Sequence, residues 1–204
     1  MSVLFSTAYF PPVGFLKIAK NNKYIILEAN ETYIKQTYRN RCEILSANGV
    51  LALTIPVIKP NGNHTLIKDI RIDNNSKWRK EHWRAIESAY RSSAYFELVS
   101  DYFAPYYQKE WGFLWDFNKS IICTVIDLLE LDIRLAETNA YEKSPASLID
   151  YRNTFSPKNK GQVTDDDLQF EKYYQVFGNR YGFTPNLSAI DLICNCGMES
   201  VLLL

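Results

Sequence analysis

The chain has 204 residues, enough for one large domain or two small ones, and an apolar content of 47% with 23% charged residues is that of an ordinary globular protein. Lys and Arg number 23 and Asp and Glu also 23, so the net charge is zero, which argues against a general nucleic-acid or polyanion binder but not against a local cationic pocket. Met1–Phe10 lacks the basic and apolar regions of a secretory signal, and the longest apolar run, Ile121–Leu131, is broken by Asp127 and Glu130. The four cysteines, Cys42, Cys123, Cys194 and Cys196, do not form a disulfide framework, and the expectation is a cytoplasmic protein with free thiols.

In chain order, Val3–Ser6 reads as a short buried strand and Thr7–Pro12 as a turn. Pro12–Asn21 reads as a short helix, with proline suited to its first turn, and Tyr24–Leu27 as a second strand. Strand, helix and strand within about 30 residues make a βαβ unit with parallel strands. The loops after the two strands, Thr7–Pro11 and Glu28–Asn40, are then brought to one sheet edge, where such sheets bind ligands.

Cys42–Leu45 and Val50–Val57 flank Asn48-Gly49, a hairpin signal, and Pro56 marks an exposed or terminal strand position. Leu66–Ile72 is expected as a further strand, and Asn74-Asn75-Ser76 as a helix N-cap. Trp78, His82, Ile86 and Tyr90 recur at helical spacing, and two further helices are expected over Tyr95–Tyr107 and Phe113–Leu131. Ile133–Ala136 reads as a short strand and Pro157–Asp167 as a mobile loop. A last helical region is expected from Tyr173–Phe177, with Asn186-Leu187-Ser188 capping an apolar helix that Gly197 ends. No internal repeat or linker is evident. The reading is a single α/β (α+β) domain over 1–204. A mixed sheet with the βαβ unit and hairpin occupies 1–73, and mainly helices pack on it over 74–204.

The polar stretch Thr32–Ile44 lies between two apolar runs and carries Lys35, Gln36, Arg39, Asn40 and Arg41. It is either a solvated edge segment or a binding site. Arginine forks and lysine point charges suit phosphate or carboxylate oxygens. If Asn40-Arg41-Cys42 enters a strand, alternation puts Asn40 and Cys42 on one side and Arg41 on the other, and the three cations cannot share one face of regular structure. His82 is either a core histidine or a general base. Cys42 beside Arg41 is a weak nucleophile candidate without a nearby histidine, and unpaired cysteine is more often a small buried hydrophobe. Cys194-x-Cys196 makes a poor zinc site, and Asp165-Asp166-Asp167 lacks calcium-loop spacing. No P-loop, GxGxxG or GxSxG is present. No metal and no cofactor is assigned.

Ser6-Thr7-Ala8-Tyr9-Phe10-Pro11-Pro12, Tyr33 through Cys42, Leu53-Thr54-Ile55-Pro56-Val57, Trp78 with His82, Tyr90 with Ala94-Tyr95-Phe96, and Asn186 through Leu192 together resemble the WbqC-like family over essentially the whole chain. Many members carry Gln-Pro where Thr7-Ala8 stand here. The family is named from genes in bacterial O-antigen and surface-polysaccharide clusters, so the resemblance implies a cytoplasmic role in sugar or cell-envelope biosynthesis. The expectation is a transferase-type enzyme acting on an anionic small molecule, a phosphorylated or nucleotide-activated sugar. Lys35, Arg39 and Arg41 would neutralise its oxygens, Gln36 and Asn40 orient it, Tyr9 stack on it and His82 act as base. The alternative is a non-catalytic assembly partner that uses aromatic residues around Tyr95–Tyr107 as an interface.

Overall fold

Strand β1 (Ser2–Ser6) is the axis of the fold. The computed structural model describes residues 2–157 and 168–204. Val3, Leu4 and Phe5 are each at most 1% exposed, the all-apolar pattern of a strand covered on both faces. Helix α1 (Val13–Asn22) follows, with Pro12 at its N-cap and Val13, Phe15, Leu16 and Ala19 turned inward. Lys23 ends it in the left-handed region at φ 57°. Strand β2 (Tyr24–Glu28) then runs parallel to β1, from Ser2 opposite Tyr24 to Ser6 opposite Glu28, so the expected βαβ unit is present.

The chain next leaves the sheet. Strands β3 (Arg41–Ser46) and β4 (Gly49–Thr54) form an antiparallel hairpin whose turn is Ala47-Asn48, with Gly49 at φ 94°. The strand expected over Val50–Val57 stops at Thr54, because Pro56 has no N–H to continue a ladder. Two residues, Val57–Ile58 (β5), pair instead with Arg71–Ile72 (β6). The strand expected over Leu66–Ile72 is therefore mostly absent: Ile67–Asp69 is a 3-10 turn. Its Ile67, Ile70 and Ile72 still face the core, but through a turn rather than by alternation.

Helices α2 (Trp78–Tyr90), α3 (Phe96–Gln108) and α4 (Leu114–Leu128) follow, close to the expected ranges. Asn74-Asn75-Ser76 does not cap α2. It folds into a turn in which the Asn75 N–H and the Ser76 hydroxyl donate to Asp73. Two strands from the later half then return to the sheet. Strand β7 (Arg134–Glu137) pairs parallel with β2, and β8 (Ile149–Asp150) pairs parallel with β1 on its other side. The sheet order is β7-β2-β1-β8, all parallel, and the two antiparallel pairs are not part of it. The α/β class stands, with the strands divided in this way.

The chain closes with α5 (Gly178–Tyr181), α6 (Ala189–Cys196) and α7 (Ser200–Leu203). Tyr173–Phe177, expected to begin this helical region, is not helical. Tyr173 and Gln175 instead donate to the buried Asp191 carboxylate of α6, at 2.7 and 2.9 Å, and Tyr90 donates to its other oxygen at 2.8 Å. The loop expected over Pro157–Asp167 lies, from residue 158 on, outside the described residues, as do Asp165-Asp166-Asp167. One cluster of buried apolar side chains extends from Val3 through α1, α2, α3 and α4 to α6 and Leu204. Among the described residues no helix is long and apolar enough to cross a membrane.

Gly197 gives this packing a sharp test. It has φ 55°, and a Cβ there would lie 2.5 Å from Tyr95 Cδ1. Gly197→Ala should lose about 1–3 kcal/mol of stability through left-handed strain and this clash, read as a lowered urea midpoint.

Candidate active site at the sheet edge

The chain moves from β1 to β2 and on to β7 in one direction, whereas β8 lies on the opposite side of β1. The order therefore reverses between β1 and β8, and a crevice at the carboxyl ends of the strands is expected there. A narrow cleft of about 20 Å³ sits at this point, lined by Ser6, Thr7 and Ala8 after β1 and by Tyr151, Arg152 and Phe155 after β8. It has room for about one water. A second cleft of about 150 Å³ shares Arg39, Arg152 and Phe155 with it and adds Lys35, Thr37 and Asn153.

Charge organises this edge. Arg39 is 4% exposed and grips Glu31 with both arms of its fork, Nε to Oε1 at 2.8 Å and Nη2 to Oε2 at 2.5 Å. Its Nη2 also donates to the Ser6 hydroxyl at 2.6 Å, which ties the loop after β2 to the end of β1. Tyr9 N–H donates to the Tyr38 carbonyl at 2.9 Å and joins the same two loops a second time. Arg152, 5% exposed, donates to Glu28 at 3.0 Å and to Asp150 at 2.6 Å. Partial burial works against the Asp150 carboxylate, but the Arg152 hydrogen bonds outweigh it and hold its pKa below the usual value. Thr138 donates to Glu28 at 2.5 Å and brings the end of β7 into the network. Thr7 is 1% exposed, and its hydroxyl has no partner among the described residues while its side chain lines the narrow cleft.

The structure separates the residues singled out in the sequence. Lys35 and Arg39 line the larger cleft. Gln36 is exposed beside Lys35, at φ 60°. Asn40 is buried, donates its amide to the Ile55 carbonyl at 2.9 Å and clips the hairpin to its loop. Arg41, the first residue of β3, is half-buried and its Nε donates to Thr54 Oγ1 at 3.3 Å, whereas Asn40 lies in the turn before the strand. Neither Asn40 nor Arg41 lines a cleft described here.

Tyr9 and His82 do meet, in the core. The Tyr9 hydroxyl lies 3.1 Å from His82 Nδ1 and 2.6 Å from the Tyr107 hydroxyl. Burial pushes the His82 imidazole down to about 4, against a smaller opposing pull from the Thr54 backbone, so the ring is neutral at pH 7. A neutral ring can accept a proton, but its Nδ1 is turned to Tyr9. Burial likewise pushes the Cys42 thiol and the Tyr9 and Tyr107 hydroxyls up, so Cys42 is a packed thiol rather than a nucleophile. Among the described residues no group of three or more His, Cys, Asp or Glu is placed to hold a metal ion.

Sequence reasoning missed Arg152, Glu28, Glu31 and Asp150, and placed Thr7 only as part of the loop after β1. Glu28 and Glu31 stood in the right loop, and their acidity at the end of a buried strand was the available signal. Arg152 lies 124 residues from Glu28, and nothing local marked it.

Two outcomes follow. Arg39→Met should cost about 3–5 kcal/mol because Glu31 is left buried and unpaired, and Arg39→Met with Glu31→Leu should recover much of that loss in urea unfolding. For His82, the folded pKa lies below the unfolded value, so protonation favours unfolding. Its contribution is fully present above about pH 6.5 and is lost as pH falls toward 4, on the order of 3 kcal/mol. A His82→Gln protein should lose correspondingly less stability than the unaltered chain between pH 7 and 4.

The chain is 27% identical over 216 residues to an uncharacterized protein, Rv1507c, of Mycobacterium tuberculosis (strain ATCC 25618 / H37Rv), an alignment covering 94% of this chain and 92% of that protein. No solved structure matches it. The WbqC-like protein family matches residues 7–156, which take in β2, the hairpin, α2 to α4 and most of the lining of both clefts, and the chain belongs to that family.

Proposed function

We propose that the chain is a transferase-type enzyme of bacterial surface-polysaccharide or cell-envelope biosynthesis. It takes a phosphorylated or nucleotide-activated sugar at the carboxyl edge of the parallel sheet. The biosynthetic setting rests on the association of the WbqC-like family with O-antigen and surface-polysaccharide genes. The observation that carries the site is the cleft system at the β1–β8 switch point, walled by two buried arginines and the Thr7 hydroxyl, which has no partner among the described residues.

In this reading Lys35 is the free point charge at the rim and Gln36 offers its amide to sugar hydroxyls beside it. Arg39 is held rigid by Glu31 and Ser6 through Nε and Nη2, and its Nη1 is not needed for those bonds. Fixed donors of this kind stabilise charge that develops on a departing phosphate without reorganising. Thr7 stands where many family members carry glutamine, and its hydroxyl gains a partner when a polar ligand enters. Tyr9, Asn40 and His82 are positioning residues that hold the two loops from behind. At about 150 Å³ the larger cleft suits a phosphate and a sugar ring, and a nucleotide moiety would extend beyond it.

The assembly-partner alternative gains little support. Phe96, Phe103 and Tyr107 are buried and Tyr106 bonds Ser120 and Thr124, which leaves Leu98 and Tyr102 as the large exposed apolar side chains of α3.

Hexose phosphates and nucleotide sugars are to be screened by thermal shift, because a ligand that binds only the folded chain raises its stability. At least one phosphorylated sugar should raise the midpoint. Lys35→Ala, at an exposed position, should weaken that binding by about tenfold, the equivalent of ~1.4 kcal/mol, without lowering the unliganded midpoint. A complete absence of shifts with phosphorylated compounds would sink the reading.

A further inference from the structure

A third cavity, larger than either cleft, opens between α2 and α3 and encloses about 310 Å³, within the range of small-molecule sites. One wall is aromatic. The Trp83 and Tyr107 rings are 5.4 Å apart at 35°, and Phe96 stacks behind Trp83 at 6.2 Å, so the wall is held rigid. The Tyr107 hydroxyl is turned away toward Tyr9, which leaves the ring to face the groove. Gln108, the last residue of α3, brings a side-chain amide to the same space.

The opposite character comes from α2. Arg79, Lys80 and Arg84 all line the groove. Arg79 is anchored, donating to Asn74 at 2.5 Å and to Glu110 at 3.3 Å. Lys80 and Arg84 are exposed, and among the described residues neither side chain has a hydrogen bond or ion pair. They stand four residues apart on one helix face, where like charges repel and mildly destabilise the helix. Glu87, one turn on, is the acidic side chain that lines the groove with them. Two unpartnered cations at helical spacing over an aromatic wall gain nothing from each other and gain a partner from an anion.

We infer that the α2–α3 groove binds a planar anion of the nucleoside phosphate class, with its ring against Trp83 and its phosphates on Lys80 and Arg84. The Trp83–Tyr107 wall supplies aromatic surface of the kind against which any base can lie. Lys80 supplies a point charge and Arg84 a fork that matches phosphate oxygens. Gln108 is placed to read a ring edge. This site is independent of the sheet-edge reading, since it shares no lining residue with either cleft there.

The test titrates uridine diphosphate into the full chain by calorimetry, beside the Lys80→Glu/Arg84→Glu double variant, Trp83→Leu and Lys35→Ala. Uridine diphosphate should still bind Lys35→Ala, in which the sheet-edge site is weakened, and the double variant made in that Lys35→Ala background should bind it at least tenfold more weakly. Both altered residues of that variant are exposed, and its unfolding midpoint checks that the fold is kept. Trp83→Leu should weaken uridine diphosphate but leave inorganic phosphate unchanged, and Glu87→Gln should tighten uridine diphosphate a few-fold by removing a like charge. No heat at millimolar uridine diphosphate overturns the inference, as does equal affinity with and without the double substitution in the Lys35→Ala background. Inorganic phosphate binding as tightly as uridine diphosphate overturns the planar part. Binding lost in Lys35→Ala but kept in the double variant assigns the ligand to the sheet edge and overturns the groove. Sheet-edge failure alone would appear as hexose phosphates without effect while uridine diphosphate still binds.

Discussion

Two guanidinium groups buried at the carboxyl edge of one small parallel sheet set the terms for the rest of this protein. A buried cation is tolerated only where carboxylates and hydrogen-bond acceptors replace its water. Arg39 therefore needs Glu31 and Ser6, and Arg152 needs Glu28 and Asp150. Those partners come from the ends of β1, β2 and β8 and from the loop after β2. Satisfying two charges thus pins three separated segments together at the place where a sheet of this topology binds ligands. The net gain over an apolar replacement is small in such pairs, so their value lies in defining which segments meet.

Behind that edge lies a region of different character. Tyr9, His82 and Tyr107 form a buried polar thread through aromatic packing, with Trp78 and Phe117 around it. The Tyr9 and Tyr107 hydroxyls and His82 Nδ1, each costly alone, are paired in sequence, while Trp78 Nε1 beside them has no partner among the described residues. The low pKa of His82 is a consequence of this burial, and it marks a histidine kept neutral rather than one poised near neutrality for acid–base work. The same thread links the loop after β1 to α2 and α3, so the helical half bears directly on the loop that forms the sheet-edge cleft.

Legibility followed the range of the interactions. The βαβ unit was readable because Val3–Phe5, α1 and Tyr24–Leu27 carry their own periodicity and turn residues within 28 positions. The three long helices were readable for the same reason. Leu66–Ile72 misled because its isoleucines serve a 3-10 turn, and Tyr173–Phe177 because Asp191 draws its side chains away from helical backbone. In both segments a tertiary partner outweighed local propensity. Lys35, Arg39 and Arg41 were singled out by charge in a loop that parallel strands bring to the sheet edge; Lys35 and Arg39 line the larger cleft and Arg41 lines neither.

What the sequence by itself determined is the α/β class and the convergence of the loops after β1 and β2. Each depends on chain geometry over a few residues. Only the tertiary structure decided that β7 and β8 flank β2 and β1, that Arg152 joins Arg39 at the edge, and that Lys80 and Arg84 stand beside Trp83 without partners among the described residues. Strands of four and two residues carry too little pattern to announce their neighbours. A charge does not record whether its counter-ion lies two residues away, as Asp150 does for Arg152, or 124 residues away, as Glu28 does. Those pairings are set by which buried groups must be satisfied once the core has closed.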